Sequence, residues 1–388
     1  MNDTQHKNIT QSVDILIKHA IAKGASDIHL EPTAYDLRLR FRIDGVLYTQ
    51  ESIPLDQAQQ IISRIKILCN TDIAEKRIPQ DGRFTIIVDD HSIDLRVSTF
   101  PSLYGEKIVI RILNRQSCMI DLDHVGFQKD ILQKFNSLIK KPSGFLLVTG
   151  PTGSGKTTTL YAALSALNSP DKNIVTLEDP VEYNLDGIIQ GHIHPNAGFT
   201  FERGIRAILR QDPDIAMIGE IRDKQTARIA IEAALTGHLV VSTLHTNDAP
   251  GALMRLLDMG IEPFLLNASI TGILAQRLAR RLCTSCKYSY TPDKEEQTIM
   301  QQLGLQCTTM YKADGCSDCF EHGVKGRIGL FELLVITNNL RSKLVAHPIF
   351  ETIYDQARSD GMQTLLEDGI QKVKDGVISL QELLRVLV

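Results

Sequence analysis

Tryptophan is absent from the 388 residues, and aromatic side chains make up only 5% of them, yet a 43% hydrophobic content leaves ample material for a buried core. Neither sign of charge is in excess. The 42 Lys and Arg nearly balance 46 Asp and Glu, for a net charge of -4, which excludes a polyanion binder that relies on bulk positive charge and leaves only local basic patches. Repeats, low-complexity tracts and long Pro/Ser linkers are missing, so disordered and collagen-like classes are excluded. No apolar run approaches the ~18 residues that a membrane-spanning helix needs. The opening Met1-Asn2-Asp3-Thr4-Gln5-His6-Lys7 lacks the apolar core of a secretory signal, and the expectation is a cytosolic chain. Cysteine is scarce and odd in number, at seven. In a reducing compartment such cysteines are metal ligands or plain thiols rather than a disulfide framework.

The length exceeds the usual single domain and predicts two or three folded units. Residues 1–115 read as a small α+β domain. Val13, Leu16, Ile17, Ala20 and Ile21 recur at helical spacing, as do apolar residues from Ala58 to Leu68. Leu37, Leu39, Phe41 and Ile43 alternate with Arg38, Arg40 and Arg42, the period of a half-buried strand, and Asp44-Gly45 supplies a turn. Phe84–Val88 and Ile93–Val97, broken by Asp89-Asp90-His91, predict a hairpin, and Ile108–Leu113 one more strand. Residues 116–123 lose periodicity and read as a linker.

Residues 124–388 change pattern. The apolar runs Phe145–Val148, Asn173–Leu177, Ile215–Ile218 and Leu239–Thr243 alternate with helical stretches such as Thr158–Leu167 and Gln225–Leu235. This predicts an α/β domain with a mostly parallel sheet covered by helices on both faces. A cysteine-rich insert occupies 281–325, and residues 326–388 read as a helical C-terminal part.

The sharpest chemical signal is Gly150-Pro151-Thr152-Gly153-Ser154-Gly155-Lys156-Thr157, which runs on through Thr158. Its spacing is that of a phosphate-binding loop. The glycines let backbone N–H groups curl around phosphate oxygens, Lys156 brings a positive charge to the β- and γ-phosphates, and the Thr157 hydroxyl is placed to ligate Mg²⁺. A bare Gly-rich turn is the bland alternative. Against it, the loop follows an apolar strand and opens a helix, as the chemistry requires.

Hydrolysis also needs an acidic residue near the metal and the attacking water. Two strand ends offer one: Glu178-Asp179-Pro180-Val181-Glu182-Tyr183, and Gly219-Glu220-Ile221-Arg222-Asp223. Carboxyl ends of strands line the ligand crevice of an open α/β sheet. Gly219 stands where an Asp usually precedes the Glu of such a strand, leaving Glu220 without that neighbour. His238 and His245 flank the strand Leu239–Thr243, and by spacing alone each reads first as a structural histidine and only second as a nucleotide contact.

Cys283-Thr284-Ser285-Cys286 and Cys316-Ser317-Asp318-Cys319 form a CxxC…CxxC pair with the spacing of a closed Cys₄ zinc site. A redox dithiol is the alternative, and the thioredoxin-like βαβ context that it needs is missing. Cys69, Cys118 and Cys307 are left as ordinary thiols. Arg83, Arg96 and Arg111 lie in or beside strands of the first domain. Alone they are a solvated strand face, but phosphoryl transfer benefits from arginines supplied by another domain or subunit, so a nucleotide site makes them candidates.

Several motifs in order carry a resemblance: Ser26-Asp27-Ile28-His29-Leu30-Glu31-Pro32, the phosphate loop, Glu178 to Tyr183, Arg210-Gln211-Asp212-Pro213-Asp214 leading to Gly219–Asp223, and Thr236-Gly237-His238 through Leu244-His245-Thr246-Asn247-Asp248. From about residue 11 onward the chain resembles the secretion ATPases, and within them the type II secretion and type IV pilus assembly ATPases (GspE/PilB). The resemblance implies a RecA-like motor domain with a tetracysteine zinc insert, preceded by a PAS-like domain and assembled as a homo-hexamer. It implies ATP, Mg²⁺ and Zn²⁺ as ligands. It places Glu182 and Glu220 at the metal and the attacking water, His245 at the γ-phosphate, and Arg83, Arg96 and Arg111 on the phosphates from the N-terminal domain. Arg327, in Gly326-Arg327-Ile328-Gly329, falls on the nucleoside side.

The tetracysteine insert, and a tail running from Asp360-Gly361-Met362 to Lys374-Asp375-Gly376, resemble assembly rather than retraction ATPases. The implied setting is the cytoplasmic side of the inner membrane. The implied partners are a membrane platform protein and other pilus or secretion components, with no direct nucleic acid. Assembly ATPases usually carry a further docking domain before the Ser-Asp-Ile-His motif, which begins here at residue 26, so the expectation is a short form. Other readings are a competence or DNA-uptake pseudopilus motor, a conjugation-type transport ATPase, and a nucleotide-gated scaffold that hardly turns over.

Overall fold

The structure, a computed structural model, describes residues 2–113, 120–346 and 348–387. Cys118 and residues 116–119 of the expected linker lie outside the described residues. The chain forms two compact units, Met1–Cys118 and Met119–Val388.

The first unit comprises α1 (Asn2–Ala22), β1 (Ala25–Pro32), β2 (Asp36–Ile43), β3 (Val46–Thr49), β4 (Ile53–Pro54), α2 (Leu55–Leu68), β5 (Gln80–Val88), β6 (His91–Ser102) and β7 (Gly105–Leu113). Its strands form one antiparallel sheet in the order β3-β2-β1-β7-β6-β5, with β4 beside β2. Alternation decides its faces. Ile28, Leu30, Leu37, Phe41, Leu95, Ile108 and Ile110 pack into one core with Ile17 of α1 and Ile65 of α2, while the alternating arginines of β2 stay on the other face. Each fully buried aliphatic side chain contributes about 1.5–3 kcal/mol. Two of the hairpin turns use left-handed backbone, Asp44-Gly45 at φ 48 and 85 and Asp89-Asp90 at φ 49 and 61, matching the twist of the flanking strands. A buried ion pair, Lys66 Nζ to Glu106 Oε1 at 2.8 Å, joins α2 to β7, and the same ammonium donates to the Glu75 carbonyl at 2.6 Å.

The second unit opens with α3 (Lys129–Ile139), β8 (Gly144–Thr149), α4 (Lys156–Leu167), β9 (Ile174–Glu178), β10 (Ile189–His192), α5 (Phe201–Ile208), β11 (Ile215–Ile218), α6 (Lys224–Leu235) and β12 (Leu239–Leu244). It continues with α7 (Ala249–Asp258), α8 (Pro263–Ser269), β13 (Ile270–Leu282), β14 (Lys287–Tyr290), α9 (Lys294–Gln302), β15 (Met310–Ala313) and β16 (Val324–Val335). Four helices follow: α10 (Asn338–Ala346), α11 (Phe350–Ser359), α12 (Leu365–Lys374) and α13 (Leu380–Leu387). The main sheet runs β10-β9-β11-β12-β8-β13-β16. Its strands are parallel except for β16, which lies antiparallel to β13. Every residue of β8, β9, β11 and β12 is buried, as expected of strands covered on both faces.

One expectation is corrected. Residues 324–335 form a strand, so the helical C-terminal part begins at Asn338 rather than at residue 326. An apolar run such as Leu330–Val335 has no periodicity to separate buried strand from buried helix, and pairing with β13 over Gly272↔Val335 to Leu282↔Val324 decides it.

No helix among the described residues is long and apolar enough to cross a membrane.

Candidate functional site

The phosphate loop joins β8 to α4. Gly155, the residue before α4, has φ 86 and ψ 17, and no side chain caps the helix behind it. A left-handed glycine is what allows the chain to turn into α4 with its first N–H groups uncapped, and such a helix N-terminus attracts an anion. Lys156 folds back over the loop and donates to the carbonyls of Gly150 at 2.9 Å and Pro151 at 3.0 Å. Burial lowers its pKa, and the charge of Glu220 partly offsets that. The ammonium and this carboxylate therefore share one electrostatic site.

Glu220 follows β11 and His245 follows β12. Their strands are neighbours in parallel register, with Ile218 opposite Ser242. Beyond the ladder, Ser242 Oγ donates to the Ile218 carbonyl and Thr243 Oγ1 to the Gly219 carbonyl, both at 2.7 Å, and the Ile221 N–H donates to the Thr243 carbonyl at 3.0 Å. These bonds bring His245 Nε2 to 3.6 Å from Glu220 Oε2. Glu220 also pairs with Arg222, whose pKa rises on that account. Sequence reading did not single out Arg222; its position two residues beyond Glu220 was the available signal. On the other side, the Thr149 and Thr246 hydroxyls lie 2.7 Å apart and the Thr246 N–H donates to Thr149 Oγ1 at 3.0 Å, tying the end of β8 to the histidine loop. A cavity of about 210 Å³ lies here, lined by Ile221, Arg222, Leu244, His245, Arg255 and Met259.

Gly219 has a steric reason. A Cβ built on it would stand 3.2 Å from the Leu177 carbonyl oxygen and 3.4 Å from Glu178 Cα. Its N–H donates to that same carbonyl at 2.8 Å, so the backbones of β9 and β11 approach too closely for an Asp side chain without adjustment.

The other acidic strand end divides its residues. Glu178 is buried, accepting from Thr176 Oγ1 at 2.5 Å, from Gln190 Nε2 at 3.2 Å and from the Tyr161 hydroxyl. Burial and the neighbouring carboxylate push the Tyr161 phenol up, so it remains a donor. Glu182 lies exposed on the loop beyond. Thr157 and Thr158 are half-buried in the first turn of α4. Gln276 of β13, which the sequence does not flag, accepts from Thr159 Oγ1 at 2.8 Å. Arg327 is exposed on edge strand β16, opposite Arg280 and one strand removed from β8.

The four insert cysteines converge. All four sulfurs lie within 4.8 Å of one another, and the separations Cys283–Cys316, Cys286–Cys319 and Cys316–Cys319 are 3.8, 3.8 and 3.7 Å. A tetrahedral zinc with bonds of about 2.3 Å requires sulfurs about 3.8 Å apart. The N–H groups of Cys316 and Gly323 both donate to Cys319 Sγ at 3.2 Å. Burial pushes that thiol up, but these donors bring it down to about 7, whereas burial holds Cys286 up at about 12 and Cys316 above its usual value, so the match to a metal rests on the convergence of the four sulfurs. The donor set thus fits zinc. Cys69 is a separate buried thiol, and Cys307 contacts Met310 instead.

In the first unit, β-pairing sets Arg83 opposite Arg96 and Arg96 opposite Arg111. The three side chains are exposed and line one cavity of about 600 Å³ together with Asp81, Gly82, Val97, Ser98 and Val109.

A phosphate loop on a RecA-like parallel sheet, with Lys156, Glu220 and His245 gathered at the carboxyl ends of its strands, defines a P-loop ATPase. The chain belongs to the Type II/IV secretion system protein family, which matches residues 2–385, and it is an ATP-hydrolysing enzyme. It is 48% identical to type II secretion system protein E of Pseudomonas aeruginosa over 97% of this chain and 75% of that one. Identity to the type IV pilus assembly ATPase PilB of Thermus thermophilus is 47%, over 95% of this chain and 42% of that protein. Among solved structures, the pilus retraction motor PilT with bound ADP superposes with a TM-score of 0.63 at 25% identity, covering 95% of each chain. The Legionella pneumophila ATPase DotB shares the fold, with a TM-score of 0.69 at 21% identity over 96% of this chain and 94% of that one.

Proposed function

We propose that this ATPase works as a ring of six copies that powers assembly of a type IV pilus or a type II secretion pseudopilus, docked to a platform protein on the cytoplasmic side of the inner membrane. The observation that carries the reading is the meeting of Lys156, Glu220 and His245 beside an open helix N-terminus, together with a second cationic surface, Arg83-Arg96-Arg111, on the other folded unit.

In this reading the N–H groups of residues 150–157 cradle the phosphates of ATP and Lys156 leaves the Gly150 and Pro151 carbonyls for the β- and γ-phosphates. Thr157 and the acidic residues Glu182 and Glu220 would hold Mg²⁺, which would supply charge neutralisation at the phosphate oxygens. Glu220 orients and deprotonates the attacking water, and His245 senses the γ-phosphate. Thr158 binds nucleotide with the rest of the phosphate loop, and Arg327 lies on the nucleoside side. The arginine row approaches the phosphates as hydrolysis proceeds, so turnover becomes relative movement of the two units. Cys283, Cys286, Cys316 and Cys319 would hold zinc, which would supply a structural cross-link within the insert. The net charge of -4 and the secretion and pilus-assembly roles in the relatives' names favour protein over nucleic-acid cargo.

Steady-state phosphate release, measured beside particle mass in solution, tests the proposal. Six copies per particle are expected, with turnover that DNA does not stimulate and that Arg96→Ala lowers while sparing ATP binding. A fully active monomer, DNA-stimulated turnover, or wild-type turnover in Arg96→Ala overturns it.

A further inference from the structure

The arginine row extends farther than the three residues that line the cavity. Across five neighbouring strands the register reads Arg83↔Arg96↔Arg111↔Asp27↔Arg42. All five occupy the sheet face opposite the core, since their neighbours Ile28, Phe41, Leu95 and Ile110 are buried in it. Strands stand about 4.8 Å apart, and like charges in facing positions repel. Asp27 is the single carboxylate in this row.

Its two oxygens are divided. Oδ1 accepts from Arg111 Nε at 3.2 Å, while Oδ2 accepts from Ser26 Oγ at 2.8 Å and lies 3.7 Å from Arg42 Nε. Asp27 is only 7% exposed, whereas the Arg111 side chain is 65% exposed. The buried carboxylate thus meets the guanidinium at its inner nitrogen, and among the described residues no hydrogen bond engages either terminal amino group of this largely exposed side chain. Arg83 and Arg96 have no carboxylate partner there either. A phosphate needs a guanidinium's outer edge, and it costs less entropy to bind when the side chain is already oriented.

We infer that Asp27 is a positioning residue that aims Arg111 at a phosphoryl group and lowers the repulsion within the arginine row. This rests on the reading of the arginines as phosphate ligands given above. It also assigns work to the Asp of Ser26-Asp27-Ile28-His29.

A double-mutant cycle on the intact ATPase tests it. Asp27→Asn is expected to lower kcat about tenfold, the worth of one charge-assisted hydrogen bond, with KM for ATP within about twofold of wild type. In an Arg111→Ala background the same substitution is expected to change nothing. Asp27→Glu keeps the charge but shifts the carboxylate by one methylene, so it serves if the Asn variant is poorly folded; it too should lose turnover only when Arg111 is present. Equal losses in both backgrounds, or wild-type turnover for both Asp27 variants beside a slow Arg111→Ala, overturn the Asp27 assignment alone. Wild-type turnover in Arg111→Ala overturns the phosphate-ligand reading itself and the Asp27 role with it.

Discussion

His245 Nε2 stands 3.6 Å from Glu220 Oε2, although 25 positions separate them in sequence. The separation is too long for a hydrogen bond, so the pair is held by the register of β11 and β12 rather than by its own attraction. On the proposed reading, a carboxylate placed this way, electrostatically coupled to Lys156, serves as the base. Glu220→Gln should abolish turnover, by at least about a hundredfold, while ATP still binds. Phosphate release measured beside nucleotide affinity checks both halves.

Lys156→Ala removes the side chain that reaches back over the phosphate loop to meet the Gly150 and Pro151 carbonyls. Nucleotide affinity and turnover should both be lost. Titration with a fluorescent ATP analogue is the direct measurement, and retained tight binding would remove Lys156 from the phosphate site.

Acid should weaken the first unit through Glu31. Burial pushes this carboxyl up, but hydrogen bonds and charge from Arg40 and Lys107, whose nitrogens lie 2.7 and 2.9 Å away, bring it down from 4.5 to about 2. A depressed carboxylate pKa contributes stability above the unfolded value, and that contribution fades as pH falls from 4.5 towards 2. The stability gap between wild type and Glu31→Gln, read from denaturant unfolding, should be full at neutral pH and shrink across that window.

Metal removal should strike the insert. Native mass spectrometry is expected to find one zinc per chain, and a chelator or Cys283→Ser should lower the melting temperature, because the folded insert and its ion are linked. A metal-free protein with reduced cysteines and an unchanged melting temperature would contradict the assignment.

Asp368 is fully buried and accepts from Gln128 Nε2 at 2.7 Å and the Phe331 N–H at 2.8 Å, beside Lys372 Nζ at 2.5 Å. Asp368→Ala strands a buried ammonium and should cost about 3–5 kcal/mol of stability. Urea unfolding of the intact chain measures it.

What could be read in advance follows the range of the interactions. The phosphate loop and each CxxC turn are local, so residue spacing alone announces them, and the fully buried strands β8, β11 and β12 show as continuous apolar runs. By contrast, β13 and β16 carry no strand period of their own and exist through pairing with each other and with β8. Glu178 and Glu182 look alike in sequence. Only packing against Tyr161 and Gln190 buries the first and leaves the second exposed.

By itself, then, the sequence determined the nucleotide chemistry, the two CxxC turns and the alternation of strands and helices, because each depends on neighbours a few residues apart. Tertiary structure alone decided that Glu220 and His245 meet, that Gly219 lies tight against the Leu177 carbonyl, and that Arg83, Arg96, Arg111 and Asp27 form one row. Strand register sets those relations, and register is fixed by which faces of distant segments are buried together.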